Sequence, residues 1–135
     1  MADEYREERL MRVLREQIND RIEGVQKSVI VTNDGLVVAA YPKAGEARNA
    51  HKEIGSSFWV AALAAEIIAQ GRRAFGELAK GSVNRVLIDG ESGSMIVIPA
   101  GEEASLAVIV NRDVKLGLAM HQVARVAEQI GGLLG

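Results

Sequence analysis

Apolar residues recur along this chain at two spacings, and the switch from one to the other marks out its elements. From Asp3 to Ile22 the residues Leu10, Val13, Leu14, Ile18 and Ile22 follow one another at helical intervals, with Arg6, Glu7, Arg9, Arg12, Arg15 and Glu16 between them. This is an amphipathic helix that Gly24 ends. Its charged start, Asp3 to Arg9, reads either as the first turns of the helix or as a frayed extension. Val25 to Thr32 and Leu36 to Tyr41 are short β-rich runs separated by Asn33, Asp34 and Gly35, which predicts a hairpin. Neither run alternates cleanly, as expected for a sheet covered on both faces. Pro42 to Glu53 is a polar, small-residue loop.

Ile54 to Lys80 is the longest apolar segment, and as a helix it is apolar on too many sides. Ile54, Phe58, Ala61, Ala65 and Ile68 form one stripe, and Val60, Leu63, Ile67, Ala74 and Leu78 a second beside it. Only the strip bearing Glu66, Gln70, Arg73 and Glu77 is polar. The apolar arc spans roughly 240°, against a little over 100° for a helix lying on one sheet. Such a helix is wrapped in a large core, spans a membrane, or is shared with another chain. A chain of 135 residues has no third layer to wrap it. A span needs about 20 apolar residues, whereas here the uncharged run stops at Ala65. The pattern therefore predicts a helix shared with a second molecule.

Three further strands are expected, Val83 to Asp89, Ser94 to Pro99 and Ala104 to Asn111, joined by turns short enough to require antiparallel neighbours. Asn84 and Arg85 make the first of them mixed in character, as at a sheet edge. A last helix is expected from a cap at Asp113 to about Leu134, with the stripe Leu116, Met120, Val123, Ala127, Ile130 and Leu134. The order α-β-β-α-β-β-β-α predicts an α/β sandwich. A central five-stranded antiparallel sheet carries the central helix on one face and the terminal helices on the other, with no obvious cleft. No internal repeat or second domain is visible, so residues 1–135 are expected to form a single domain.

Composition narrows the partners. Sixteen Lys and Arg against eighteen Asp and Glu, a net charge of −2, give no bulk attraction for nucleic acid or an anionic membrane. The absence of cysteine excludes disulfides and thiolate chemistry. A charged start with no apolar signal region points to the cytoplasm.

Catalytic patterns fail on inspection. Gly76 to Ser82 has the glycine spacing of a phosphate loop, but Ser82 stands where the lysine belongs and the segment ends a helix instead of starting one. Gly90-Glu91-Ser92-Gly93-Ser94 lacks the last glycine of a nucleophile elbow, which leaves Ser92 a turn residue. His51 and His121 have no companions of ligand type. Asp89, Glu91, Glu102 and Glu103 are the solubilising carboxylates of hairpin tips. No active site, metal or cofactor is expected. Trp59, the only tryptophan, falls on the polar strip of the central helix. It either packs on the preceding loop or is an exposed anchor for a partner.

The strand pair Ser28 to Ala39 around Asn33-Asp34-Gly35, the small-residue central helix and the strand Met95-Ile96-Val97-Ile98-Pro99-Ala100-Gly101 resemble the Roadblock/dynein light chain domain family, and within it the stand-alone prokaryotic MglB-like members. The likeness runs from about Leu10 to Leu134 and carries no catalytic signature. It implies a homodimer that pairs the strand after the central helix, Val83, Asn84, Arg85, Val86, Leu87, Ile88 and Asp89, with its symmetry mate, the two central helices lying side by side. It also implies that the helical face receives a small Ras-like GTPase and acts by reordering the GTPase's own loops. That face would include Phe58, Trp59, Leu63, Glu66, Ile67, Gln70 and Arg73. A structural adaptor that links larger proteins without touching a GTPase is the alternative.

Overall fold

The computed structural model describes residues 2–42 and 56–134. Helix α1 (Ala2–Leu14) runs into one π-helical stretch (Arg15–Asn19), followed by strands β1 (Val25–Thr32) and β2 (Val37–Tyr41). Helix α2 (Ser57–Glu77), strands β3 (Val86–Gly90), β4 (Gly93–Pro99) and β5 (Ala104–Asn111), and helix α3 (Leu116–Leu134) complete the chain. The strands form one antiparallel sheet in the order β2-β1-β5-β4-β3, with β2 and β3 as its two rims.

Alternation along the strands sends side chains to two separate cores. Ile30, Ile96, Leu106 and Val108 meet Leu10, Leu14 and Ile18 of the first helix and Val123, Val126 and Ile130 of α3. Val29, Val31, Val97 and Ala107 meet Val60, Ala61, Ala64 and Ile68 of α2 on the other face. The α/β sandwich is therefore as expected, one face under the central helix and the other under the terminal pair. Strands β1, β4 and β5 lose their polar alternation because neither face is wet.

The β1–β2 hairpin closes as its residues require. Thr32 N–H donates to the Leu36 carbonyl at 2.9 Å, Gly35 N–H returns to the Thr32 carbonyl at 3.0 Å, and the Thr32 hydroxyl accepts from Leu36 N–H at 3.1 Å. Gly35 takes φ +86°, a left-handed conformation that glycine adopts without steric cost. On the opposite face the end of the first helix is tied to the sheet by Asn19. Its amide donates to the Tyr41 carbonyl at 3.2 Å, and its Oδ1 accepts from the buried Ser28 hydroxyl at 2.6 Å.

Some boundaries differ from expectation. Helix α2 ends at Glu77, and the Ile54 start expected for it lies outside the described residues. Strand β3 begins at Val86, not Val83. Val83 is 8% exposed because the chain leaving α2 turns back under that helix, and Asn84 and Arg85 are exposed outside the strand. Asp113 does not cap α3, which starts at Leu116 after a turn in which Val114 N–H meets the Asn111 carbonyl at 3.2 Å. No deep cleft is present among the described residues, only a shallow surface depression. An open groove of about 590 Å³ lies between the end of the first helix and the start of α3, lined by Arg21, Glu23, Asn111, Asp113, Lys115 and Leu118 among others.

Candidate interaction surface on α2 and β3

Helix α2 is anchored at its start by its own cap and by a side chain of β1. The Ser56 hydroxyl accepts from Trp59 N–H at 3.3 Å, the arrangement of an N-cap. Lys27, half-buried on β1, donates to the Ser57 hydroxyl at 3.1 Å and to the Pro42 carbonyl at 3.0 Å. One ammonium thus joins the end of β2 to the first residue of α2. Farther along, Arg72 reaches the Asn33 side chain of the β1–β2 turn at 3.4 Å.

Six α2 residues face the sheet and are buried: Ser57, Val60, Ala61, Ala64, Ala65 and Ile68. Their spacing gives one helical stripe, narrower than the arc of apolar residues. The surplus is on the surface. Phe58 is 75% exposed, Trp59 64% and Leu63 44%, while Ile67 is half-buried. Phe58 is thus not part of the sheet-facing stripe assigned to it with Ala61, Ala65 and Ile68, since it lies about 100° round the helix from Ser57. Glu66, Gln70 and Arg73 are exposed, and Arg73 donates to the Gln70 side chain.

The two flanks of α2 can be told apart by what lies beneath them. A Cβ on Gly71 would touch the Val83 and Val86 side chains at 3.7 Å, so the flank that carries Gly71 faces β3. Leu63, Ile67 and Ala74 share that flank by helical spacing. Gly35 of the β1–β2 turn approaches Ala62 and Ala65, so the flank with Phe58 and Ala62 faces the other rim.

Strand β3 continues the uncovered apolar surface. Among the described residues it pairs only with β4, in the register Val86 with Val97, Leu87 with Ile96, and Ile88 with Met95. Val97 and Met95 belong to the α2 side of the sheet, so Ile88 lies on that side, beside the Leu63–Ile67 flank. Ile96 belongs to the opposite core, which puts Leu87 on the α3 side. Ile88 is 45% and Leu87 38% exposed. Asp89 is also exposed, and its carboxylate accepts from the Ser94 hydroxyl at 2.8 Å. A strand with one unpaired rim and bare apolar side chains on both faces is a template for a further strand.

Besides Tyr5, 73% exposed on α1, two exposed large apolar residues were not singled out from the sequence. Phe75 is 41% exposed although it stands on the helical azimuth of the buried Ser57 and Ile68, because the last turn of α2 overhangs the sheet. Leu118, 69% exposed, lines the groove at the start of α3. Only knowledge of where the sheet stops separates these from core positions. Among the described residues no three acidic, histidine or cysteine side chains converge as a metal site, and no helix is long and apolar enough to cross a membrane.

Comparison with known proteins gives a consistent result. The family model described as the Roadblock/LC7 domain matches residues 17–110. An uncharacterized protein of Methanocaldococcus jannaschii is 32% identical over 112 residues, covering 82% of this chain and 89% of that protein. The crystal structure of a Roadblock/LC7 domain from Streptomyces avermitilis superposes with a TM-score of 0.74 at 21% identity, over 96% of this chain and 95% of that one. The gliding protein MglB from Thermus thermophilus gives a TM-score of 0.78 at 22% identity, over 95% of this chain and 90% of that one.

Proposed function

Because this chain belongs to the Roadblock/LC7 domain family, we propose that it is a homodimeric protein-binding module which engages a small Ras-like GTPase and regulates or scaffolds it. The observation that carries the reading is the continuous uncovered apolar surface from the β3 rim to the β3-side flank of α2, with Ile88, Leu63 and Ile67 in sequence across it. Contiguous apolar surface of this kind marks an interface. A second copy meets its needs, since β3 against β3 extends the sheet and brings α2 beside α2 under one two-fold axis.

The outward strip of α2 then remains for a different partner. Trp59, Glu66, Gln70 and Arg73 combine an aromatic anchor with polar groups of both signs, the makeup of a protein-binding hot spot and its rim. With no active site of its own, the module would act on the GTPase by holding the GTPase's own catalytic loops. The test is sedimentation of the purified protein for the dimer, followed by GTP hydrolysis and nucleotide exchange by a small GTPase with and without it. A dimer that binds the GTPase and alters either rate supports regulation; binding with both rates unchanged leaves the scaffold. Absence of binding removes the GTPase and leaves the adaptor.

A further inference from the structure

A bare strand rim accepts strands of many kinds, so something beyond apolar character has to decide which chain pairs with β3. The charges near its two ends supply the choice. Arg85 precedes β3 and Asp89 is its fourth residue; both are exposed, and neither belongs to an ion pair among the described residues. Asp89 shares the α3 side of the sheet with Leu87, because its partner in β4 is Ser94, two positions from the Ile96 that faces Leu87. Carrying the alternation back one residue puts Arg85 on that side too. Four steps along a strand hold Arg85 and Asp89 about 13 Å apart at about 3.3 Å per residue. The two charges therefore cannot pair within one copy, but two copies running antiparallel bring each against its opposite.

Residues directly opposite in an antiparallel pair point to the same face, so a two-fold axis between two β3 strands has to pass between two copies of one residue. With Asp89 at the axis, two carboxylates meet. With Ile88 there, Leu87 faces Asp89 of the other copy. With Val86 there, Leu87 faces Arg85 and the pairing runs out early, because Val83 is held under α2. With Leu87 at the axis, Leu87 meets its own mate, Val86 meets Ile88 on the α2 side, and Arg85 meets Asp89 at both ends on the α3 side. This register alone sets every apolar side chain against another and each charge against its opposite. The Ser94 hydroxyl, 2.8 Å away, already orients the Asp89 carboxylate, which has acceptor sites left for a guanidinium. We propose that Arg85 and Asp89 make the β3 rim selective for a second copy of this chain, through two symmetric cross-strand pairs about a two-fold axis at Leu87. The inference rests on the dimer reading above and adds to it the register and the residues that choose the partner. A foreign strand without this charge order leaves Arg85 or Asp89 against an apolar or like-charged side chain and is disfavoured.

The chain has no cysteine, so Leu87→Cys and Ile88→Cys each introduce a unique thiol. At the axis the two copies of residue 87 stand about 4.5–5.5 Å apart between Cα atoms, within disulfide reach, whereas the copies of residue 88 lie on a diagonal of about 7–8 Å, beyond it. Oxidised glutathione should therefore join Leu87→Cys into a covalent dimer roughly tenfold faster than Ile88→Cys. Equal or reversed rates overturn the register. The second arm tests the charges by sedimentation equilibrium. Arg85→Asp and Asp89→Arg each set like charges opposite at both ends, and each should weaken self-association roughly tenfold or more. An equimolar mixture of the two should pair as a mixed dimer, in which every facing pair is again of opposite sign. The double variant Arg85→Asp/Asp89→Arg should self-associate like wild type, which also shows that the changes leave the fold intact. Single variants that associate as before, or a mixture and a double variant that do not recover, overturn the proposal and leave the dimer reading standing. Wild-type protein that sediments as a monomer defeats that reading and this inference with it.

Discussion

Gly93 lies directly against the backbone of Val110: a Cβ on it would stand 2.4 Å from the Val110 carbonyl oxygen, and its φ is +153°. The β3–β4 turn can follow its neighbour β5 this closely only because residue 93 has no side chain. Gly93→Ala should therefore lower stability by about 2–4 kcal/mol through steric overlap and backbone strain, seen as a lower urea midpoint. Gly76→Ala is the contrast. A Cβ there meets nothing within 4 Å on an exposed helical turn, so it should raise stability by about 0.5–1 kcal/mol. Equal effects of the two changes would contradict the close approach.

Asn19 satisfies the buried Ser28 hydroxyl and holds the Tyr41 carbonyl. Asn19→Ala should cost about 2–3 kcal/mol, since it leaves a buried polar group without its partner. Adding Ser28→Ala should recover part of the loss. Full additivity of the two changes in a double-mutant cycle would mean that the bond contributes nothing.

Lys27→Met removes the ammonium that joins Pro42 to Ser57. The expected loss is about 1–2 kcal/mol, together with faster hydrogen exchange at the amides of the first α2 turn. Trp59 sits in that turn and is the sole tryptophan, so its fluorescence anisotropy reports the loosening without a label. Unchanged exchange and anisotropy would deny Lys27 this anchoring role.

Ile88→Lys puts a charge on the bare β3 rim, a substitution that blocks strand pairing. The protein should sediment as a monomer at micromolar concentration and keep its far-ultraviolet circular dichroism. A variant that remains a dimer would locate the self-association elsewhere.

Trp59→Ala and Arg73→Ala alter exposed side chains, so stability in urea melts should stay within about 0.5 kcal/mol of wild type. GTPase affinity should fall, by about 2 kcal/mol for Trp59 if it is a hot spot. Titration calorimetry measures the affinity, and an unchanged value removes the residue from the site.

The sheet and its covering were legible because the strands carry their own evidence. Met95 to Ile98 and Leu106 to Val110 are apolar without alternation, which requires helices on both faces, and Asn33-Asp34-Gly35 closes a hairpin by its turn chemistry. The width of the apolar arc on α2 was legible too. What could not be read was its azimuth and its overhang. Phe58 and Phe75 are both bulky and apolar, and only the position of the sheet beneath decides that one points past its side and the other past its end. Val83 poses the same problem in reverse. It reads as the first residue of an edge strand, yet the return of the chain under α2 draws it into the core. Leu118 became notable only when the groove beside it was formed by segments distant in sequence.

Half of the buried stripe of α2 that touches the sheet is alanine: Ala61, Ala64 and Ala65 have side chains of a single carbon. Small groups let the helix ride low, so the height of Trp59 and its neighbours above the strands is set from underneath. Enlarging one alanine lifts or tilts the whole rod. Recognition on the outside of this protein can accordingly be retuned by volume changes on the inside, at positions no partner ever meets.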